Sequence, residues 1–578
     1  MGKDNSLNRR SVLGGIGLAT AAGMLPATTA RSESADSNWD YETEVLCVGS
    51  GAAAGSAAVT AASHGAKVML IEKMPLMGGT TGKSGGVAWI CNHNILREQG
   101  IQDKKRDAIA YMAHYSYPQI FNPESSTFGL EEIDYKLIEA FYDNGYKAIE
   151  HLEKVDAVKF KQFRLFQVDV PAPDYADHLP ENKVPTGRAL EPAVGSGSSE
   201  GGGSLAAHLE DWLARHDVPM MTDTRVTKII TNDDRVIGVE AKQDGKIIRI
   251  RASKGVIFGT GGYSHNEKLV GLHQTALYGA CAMPGSTGDF ISLAGEIGAQ
   301  MGAMHTAWRS QVVFEEALQN RLLGFCAFVL PGDSMILVNK YGKRIVNEKR
   351  CYNDRTMPHF VYDPAKDEYP NQLQFMLFDE RSIDRFGGAF PFPLSKNENP
   401  YLISGQNLDE LFENIDARLK KLENQSGGVR LADNFGGETK ATIERFNGYA
   451  KKGVDPEFER GKRLYDTEWH KLFSYPRADS SYPANPMPNL VMHPFSEEGP
   501  YYCFILAAGA LDTNSGPRIN EKAQVLASDD KPISGLYGAG NCIASPSRSA
   551  YYGAGGTIGL ALTYGYIAGR QVAKAETV

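Results

Sequence analysis

A strand-length apolar run, Glu44-Val45-Leu46-Cys47-Val48, leads straight into Gly49-Ser50-Gly51-Ala52-Ala53-Ala54-Gly55. Small residues continue to Ser63, Gly65 ends that stretch, and Lys67-Val68-Met69-Leu70-Ile71 closes on an acid, Glu72. Strand, glycine turn, small-residue helix, second strand and terminal acid, in that order, make a βαβ dinucleotide-binding unit. Gly49 permits the tight turn, and Gly51 lets backbone amides reach a pyrophosphate at the helix N-terminus. Ala54 lets helix and strand pack closely, and Glu72 can accept hydrogen bonds from a ribose. A chain that opens this way is committed to an α/β, Rossmann-like fold.

A second small-residue loop follows Glu72 at once: Met74-Pro75-Leu76-Met77-Gly78-Gly79-Thr80-Thr81-Gly82-Lys83-Ser84-Gly85-Gly86. It resembles the G-G-[ST]-[ST]-x-x-S-G-G segment of the succinate dehydrogenase/fumarate reductase flavoprotein superfamily. The resemblance implies that the dinucleotide is FAD. It also implies that Gly78, Gly79, Thr80, Ser84 and Gly86 run along the pyrophosphate and flavin. Three further runs, Arg225–Ile230, Val236–Val239 and Ile247–Ile250, read as a strand meander that ends in Gly255-Val256-Ile257-Phe258-Gly259-Thr260-Gly261-Gly262. Gly261 then sits where a strand end faces the cofactor, and the resemblance makes Val226 a candidate adenine contact. The glycine-rich run at 195–203 reads equally as a linker or as a flavin-side loop.

The chain returns to the cofactor at its far end. Gly535-Leu536-Tyr537-Gly538-Ala539-Gly540-Asn541 is a strand entering a loop, and Gly553 to Thr557 open an apolar helix from Ile558 to Arg570. Gly540, Asn541, Gly556, Thr557 and Ile558 are the expected contacts there, with the positive end of the helix toward the flavin. Two remote halves closing one site require an inserted middle. The expected organisation is a GR2-type FAD-binding domain over 42–308 and 491–578, with an α+β capping and catalytic domain over 309–490. The insertion carries Val338-Asn339-Lys340-Tyr341-Gly342-Lys343-Arg344-Ile345-Val346-Asn347-Glu348, which is similar to the superfamily's capping signature.

The C-terminal lobe resembles one branch more closely. Gly538-Ala539-Gly540-Asn541-Cys542-Ile543-Ala544-Ser545 precedes Tyr551-Tyr552-Gly553-Ala554-Gly555-Gly556-Thr557-Ile558-Gly559, as A-G-N-x-x-A-S precedes Y-P-G-P-G-x-T-I-G in the 3-ketosteroid dehydrogenases. Tyr552 and Ala554 replace the two prolines, which leaves Tyr551 and Tyr552 both open as the oxygen-polarising group. Desaturating a ketone beside its carbonyl needs a donor on the oxygen, a base for the α-proton and a hydride acceptor at the β-carbon. The resemblance puts Tyr551 and the Gly555 amide on the oxygen, an oxyanion-hole pair, and makes Tyr352 the proton acceptor. Arg350 or Arg355 is expected to lower the Tyr352 pKa. The alternative is a periplasmic ene-reductase of the fumarate or urocanate reductase type. That activity needs convergent arginines and a histidine. Leu511-Asp512 stands where those enzymes carry a histidine pair, and Arg309 and Arg548 are the candidate cations. A non-catalytic electron-transfer flavoprotein would not need so large an insertion.

Residues 1–30 read as an address: Asn8-Arg9-Arg10-Ser11-Val12-Leu13, a glycine- and alanine-rich apolar run, then Ala27-Thr28-Thr29-Ala30. This is a twin-arginine pattern, which implies export of a folded, cofactor-loaded enzyme to the periplasm, with 31–41 as a linker. A quinone or cytochrome suits such a dehydrogenase as electron acceptor. No later run reaches the ~18 apolar residues that span a bilayer. A net charge of −9 without basic runs gives no sign of nucleic acid. Seven cysteines without a C-x-x-C pair give no metal, iron–sulfur or haem signature and read as small core hydrophobes.

Overall fold

The computed structural model describes residues 38–165, 169–193, 200–396 and 399–577. The twin-arginine segment, most of the linker and residues 194–199 of the glycine-rich run lie outside the described residues.

The strand Tyr41–Val48 is the axis of an eight-stranded sheet because its apolar residues are buried on both faces. It pairs in parallel with Val68–Ile71 on one side and Lys246–Phe258 on the other. Val68–Ile71 continues in parallel to Met220–Met221. On the opposite flank Pro532–Gly538 lies parallel to Lys246–Phe258, so the two ends of the chain share one sheet. The expected meander is present as Thr224–Asn232, Arg235–Gln243 and Lys246–Phe258. The last two expected pieces are one 13-residue strand.

The fingerprint helix, Ala52–Ser63, and the C-terminal helix, Gly556–Ala573, pack directly on each other. Small residues set their spacing. A Cβ on Gly565 would come 2.3 Å from the Ala53 carbonyl oxygen, and one on Gly569 would come 2.5 Å from that of Ala57. The alanine and glycine content of both segments is thus a packing requirement.

A second, antiparallel sheet orders Ala307–Val313, Tyr501–Thr513, Gln374–Asp379 and Met335–Val338, with Ile403–Gly405 also paired to Tyr501–Thr513. Its apolar residues form a separate core with Leu411, Ile415 and Phe446 of the helices Leu408–Lys421 and Phe435–Lys452. Tyr501–Thr513 therefore pairs with strands of the middle segment, although residue 490 marks the expected boundary and places it in the returning FAD-binding segment. The strand bridges the two parts: it begins in the middle sheet, and Asp512 near its end lies against the tip of the first.

Candidate active site

A cavity of about 500 Å³ lies at the carboxyl ends of the parallel strands and runs from the fingerprint to the second sheet. At one end are Gly49, Gly51, Glu72 and Val226. Gly49 has φ +103°, and a Cβ there would sit 2.5 Å from the Gly259 carbonyl oxygen, so the turn admits only glycine. The Glu72 carboxylate accepts hydrogen bonds from Ser50 Oγ (2.7 Å) and the Met74 amide (2.9 Å). That fixes its orientation while it still lines the cavity, as a ribose acceptor must.

The second glycine loop folds onto the first. The Gly78 amide donates to Ser50 Oγ (2.9 Å), and the Ala52 amide donates to Thr81 Oγ1 (2.9 Å). Thr80 Oγ1 accepts from the Met283 amide (3.1 Å). Gly79, Thr80, Ser84 and Gly86 line the cavity, and Gly86 has φ +68° with its Cβ position 2.3 Å from Gly201. The described end of the glycine-rich run thus begins the helix Gly201–Arg215 against this loop. Gly261, Gly540 and Asn541 complete the wall from the strand ends. Ala54, Gly78 and Gly556 stand behind the lining; Ala54 is buried where Gly259 passes, 2.7 Å from the Cβ position of that glycine.

Asp512 organises the join between the two sheets. It accepts from the Gly262 amide (2.8 Å), Ser264 Oγ (2.8 Å) and Ser286 Oγ (3.1 Å). Asn541 donates to it (3.4 Å) and accepts from Trp308 Nε1 (2.9 Å). This acid, at a position where the ene-reductase alternative requires a histidine, is therefore a structural hub of the wall.

The other end of the cavity is aromatic. Tyr551 packs between Trp308 (ring centroids 5.0 Å), Tyr175 (5.2 Å) and Tyr352 (5.5 Å). Thr557 Oγ1 donates to Tyr551 Oη (3.1 Å), and the Tyr352 hydroxyl also bears on that oxygen. Burial raises the Tyr551 pKa above its ordinary value, so it is a donor at neutral pH. Tyr552 points elsewhere: its hydroxyl meets Ser116 Oγ (2.9 Å), and its ring packs against Trp89 (5.2 Å). Gly555 begins the C-terminal helix with φ +85°, and its carbonyl accepts from the Trp89 amide (3.0 Å). With Thr557 and Ile558 it brings the helix N-terminus to the cavity.

Tyr352 begins the short helix Tyr352–Thr356, four residues after Glu348 of the capping signature. That signature is a buried ionic frame: Arg344 pairs with Glu348 (2.8 Å) and Asp455 (2.8 Å), and Arg460 pairs with Glu348 (3.3 Å). The expectation that Arg350 or Arg355 lowers the Tyr352 pKa is corrected. Arg350 is paired with Asp354 (2.6 Å), and Arg355 donates to Gln311 (2.7 Å) and the carbonyls of Arg350 and Ala327. Burial, with Tyr175 and Tyr551 adding to it, instead raises the Tyr352 pKa well above normal.

The hydroxyl partner of Tyr352 is Tyr175, at 3.0 Å. Sequence reading did not single it out, since nothing in its loop distinguishes it among 26 tyrosines. Its amide donates to the Tyr552 carbonyl (3.1 Å), and its neighbour Asp174 is held by Arg188 (2.6 Å) and Trp89 Nε1 (2.7 Å). Phe328, Tyr465 and Trp469 finish the aromatic end.

Among known proteins, the FAD binding domain family matches residues 44–558. The chain belongs to this family. A 3-oxosteroid 1-dehydrogenase of Mycolicibacterium smegmatis is 30% identical, over 92% of this chain and 97% of that one. A 4-oxocyclohexanecarboxylate 2-dehydrogenase of Sinomonas cyclohexanicum is 29% identical, over 92% of each. The crystal structure of a 3-ketosteroid delta1-dehydrogenase from Sterolibacterium denitrificans covers 92% of this chain and 99% of its own, at 23% identity and a TM-score of 0.74, which shows a shared fold. The protein is an FAD-dependent oxidoreductase acting on CH–CH groups, and it groups with the 3-ketosteroid dehydrogenases. The glycine turn, the oriented Glu72 and the helix N-terminus at Gly51 fit the cofactor that family membership assigns.

Proposed function

We propose that the enzyme desaturates a cyclic ketone, a 3-ketosteroid or a smaller oxocyclohexane, beside its carbonyl, with the middle segment capping the cofactor. The observation that carries this reading is the meeting of Tyr551, Tyr352 and Gly555 on one cavity with the nucleotide fingerprint. Tyr551 donates to the ketone oxygen and is held for that by Thr557. The Gly555 amide, at the start of a helix, is the second donor. Tyr352 takes the α-proton, and the Tyr175 hydroxyl beside it stabilises the resulting charge pattern by donating to whichever oxygen is ionised. FAD bound at the fingerprint supplies the hydride acceptor. Trp308, Phe328 and Trp469 exclude water and match an apolar ring system.

The ene-reductase alternative asks for convergent cations. Arg309 donates to Gln274 and His305 beneath the Phe360 ring, and Arg548 faces Asp134; neither lines the cavity. Arg225, which does, is tied to Asp289 at 2.9 Å. The test is anaerobic bleaching of the bound flavin with a panel of 3-ketosteroids and cyclohexanones. Bleaching by a ketone supports the proposal. Silence toward every ketone, with reoxidation of the reduced enzyme by fumarate or urocanate, would establish the alternative. We further propose export by the twin-arginine route and delivery of electrons to a quinone or cytochrome, on the strength of Arg9-Arg10 and the apolar run behind them.

A further inference from the structure

Cys281 and Cys326 are 45 residues apart in the chain, and their sulfur atoms lie 2.6 Å apart. Backbone hydrogen bonds hold both sides of the pair. The Cys281 amide donates to the Ala510 carbonyl (3.0 Å), the Ala280 amide to that of Arg321 (2.9 Å), the Leu323 amide to that of Ala280 (3.0 Å) and the Ala327 amide to that of Gln311 (2.9 Å). A disulfide bond would need the two sulfurs to close by only about 0.5 Å. Cys281 is half-buried and lines the cavity, so a small reagent can reach it, whereas Cys326 is fully buried. Lys83 also lines the cavity and places its ammonium 2.5 Å from the Leu323 carbonyl, on the same short loop.

That loop, from Arg321 to Phe328, carries part of the aromatic wall. Phe325 and Phe328 line the cavity, their rings meet at 4.7 Å, and Phe328 packs on Tyr352 at 5.1 Å. We infer that Cys281 and Cys326 are a disulfide-forming site that pins this wall of the substrate cavity. The oxidant is a small-molecule disulfide. The Cys281 thiolate attacks one of its sulfurs and expels a thiolate, leaving a mixed disulfide on Cys281. Cys326 then loses its proton and attacks the Cys281 sulfur, expelling the second thiolate. Two cysteine protons end on the two released thiols, and two electrons pass from the cysteine pair to the reagent. The order follows from the surroundings: the hydrogen bond to Cys281 and burial keep the Cys326 thiol protonated, so Cys281 reacts first.

The experiment uses FAD-loaded enzyme treated with oxidised glutathione or with dithiothreitol, then alkylated and digested without reductant. The expected result is a peptide pair joined through Cys281 and Cys326, lighter by about 2 Da than the two free peptides together. Cys281→Ser and Cys326→Ser should each remove it. Chymotryptic cleavage after Phe325, which is 42% exposed, should be slower in the oxidised enzyme. Alkylation of both thiols after oxidation, or a glutathione adduct that stays on Cys281, overturns the proposal. A crosslink that leaves the cleavage rate unchanged overturns its role in the wall. The ketone KM is expected to fall about threefold or more on oxidation if the wall shapes substrate binding. That measurement alone rests on the proposed reaction, so its failure is separable from failure of the crosslink.

Discussion

Tyr551→Phe isolates the proposed polarising hydroxyl. The substitution keeps the ring that Trp308, Tyr175 and Tyr352 surround, so no cavity opens. Its structural cost is the part-buried hydrogen bond from Thr557, worth about 1 kcal/mol of stability, together with the hydroxyl contact to Tyr352. Its catalytic cost should be larger. Charge moves onto the ketone oxygen only in the transition state, and one oxyanion donor there is worth about 3 kcal/mol, or about 150-fold in kcat. Because the ground-state carbonyl is a weaker acceptor, KM should change by no more than about threefold. The assay is steady-state reduction of an artificial acceptor with the ketone that bleaches the wild type. FAD content is measured on the same samples, to show that the cofactor site is intact. Near-wild-type kcat in FAD-loaded Tyr551→Phe would refute the assignment. Tyr552 could not then be substituted for it without moving its hydroxyl away from Ser116.

Tyr352→Phe should bind FAD normally but lose both turnover and exchange of the ketone's α-hydrogens with deuterated solvent; continued exchange would place the base elsewhere. Burial raises the Tyr352 pKa, and a base acts in its deprotonated form, so kcat should rise with pH from neutrality into the alkaline range. A pH-independent kcat below pH 9 would contradict a buried tyrosine base. Gly51→Val should purify without flavin absorbance, since its Cβ already lies 3.2 Å from Thr81 Oγ1 and the added methyls extend into the pyrophosphate space. Replacing Arg9 and Arg10 by lysine should leave the precursor in the cytoplasm, read by fractionation; unchanged export would dismiss the twin-arginine reading.

The parts of the fold legible in the sequence were those where backbone geometry leaves few residue choices. Gly49 with its positive φ, and Gly51 facing the pyrophosphate space, are forced by local physics, and so they can be read from a single chain. The same holds for the packing of the two helices through Ala53, Ala57, Gly565 and Gly569, although the sequence showed only that both segments were rich in small residues. Tyr175 was not legible because its role depends on a hydrogen bond across 177 residues, and no local pattern encodes that meeting. Arg350 and Arg355 misled for the same reason in reverse. Both are near Tyr352 in sequence, yet each guanidinium turns to acceptors that the third dimension supplies.

The position of Tyr352 shows how the two levels join. Its helix follows a signature whose charges are almost wholly consumed in holding the middle segment together: Glu348 is flanked by Arg344 and Arg460, and the arginines draw its pKa down to about 2 against the opposing effect of burial. A buried frame of this kind adds little net stability, but breaking it costs about 3–5 kcal/mol, which makes it a strong constraint on one arrangement. Tyr352 inherits that rigidity, while Tyr551 inherits the rigidity of the C-terminal helix through Thr557. The two hydroxyls that the reaction requires therefore come from remote parts of the chain, Tyr352 from the short helix after the capping signature and Tyr551 from the turn before the C-terminal helix, and they meet within one shared hydrophobic cluster.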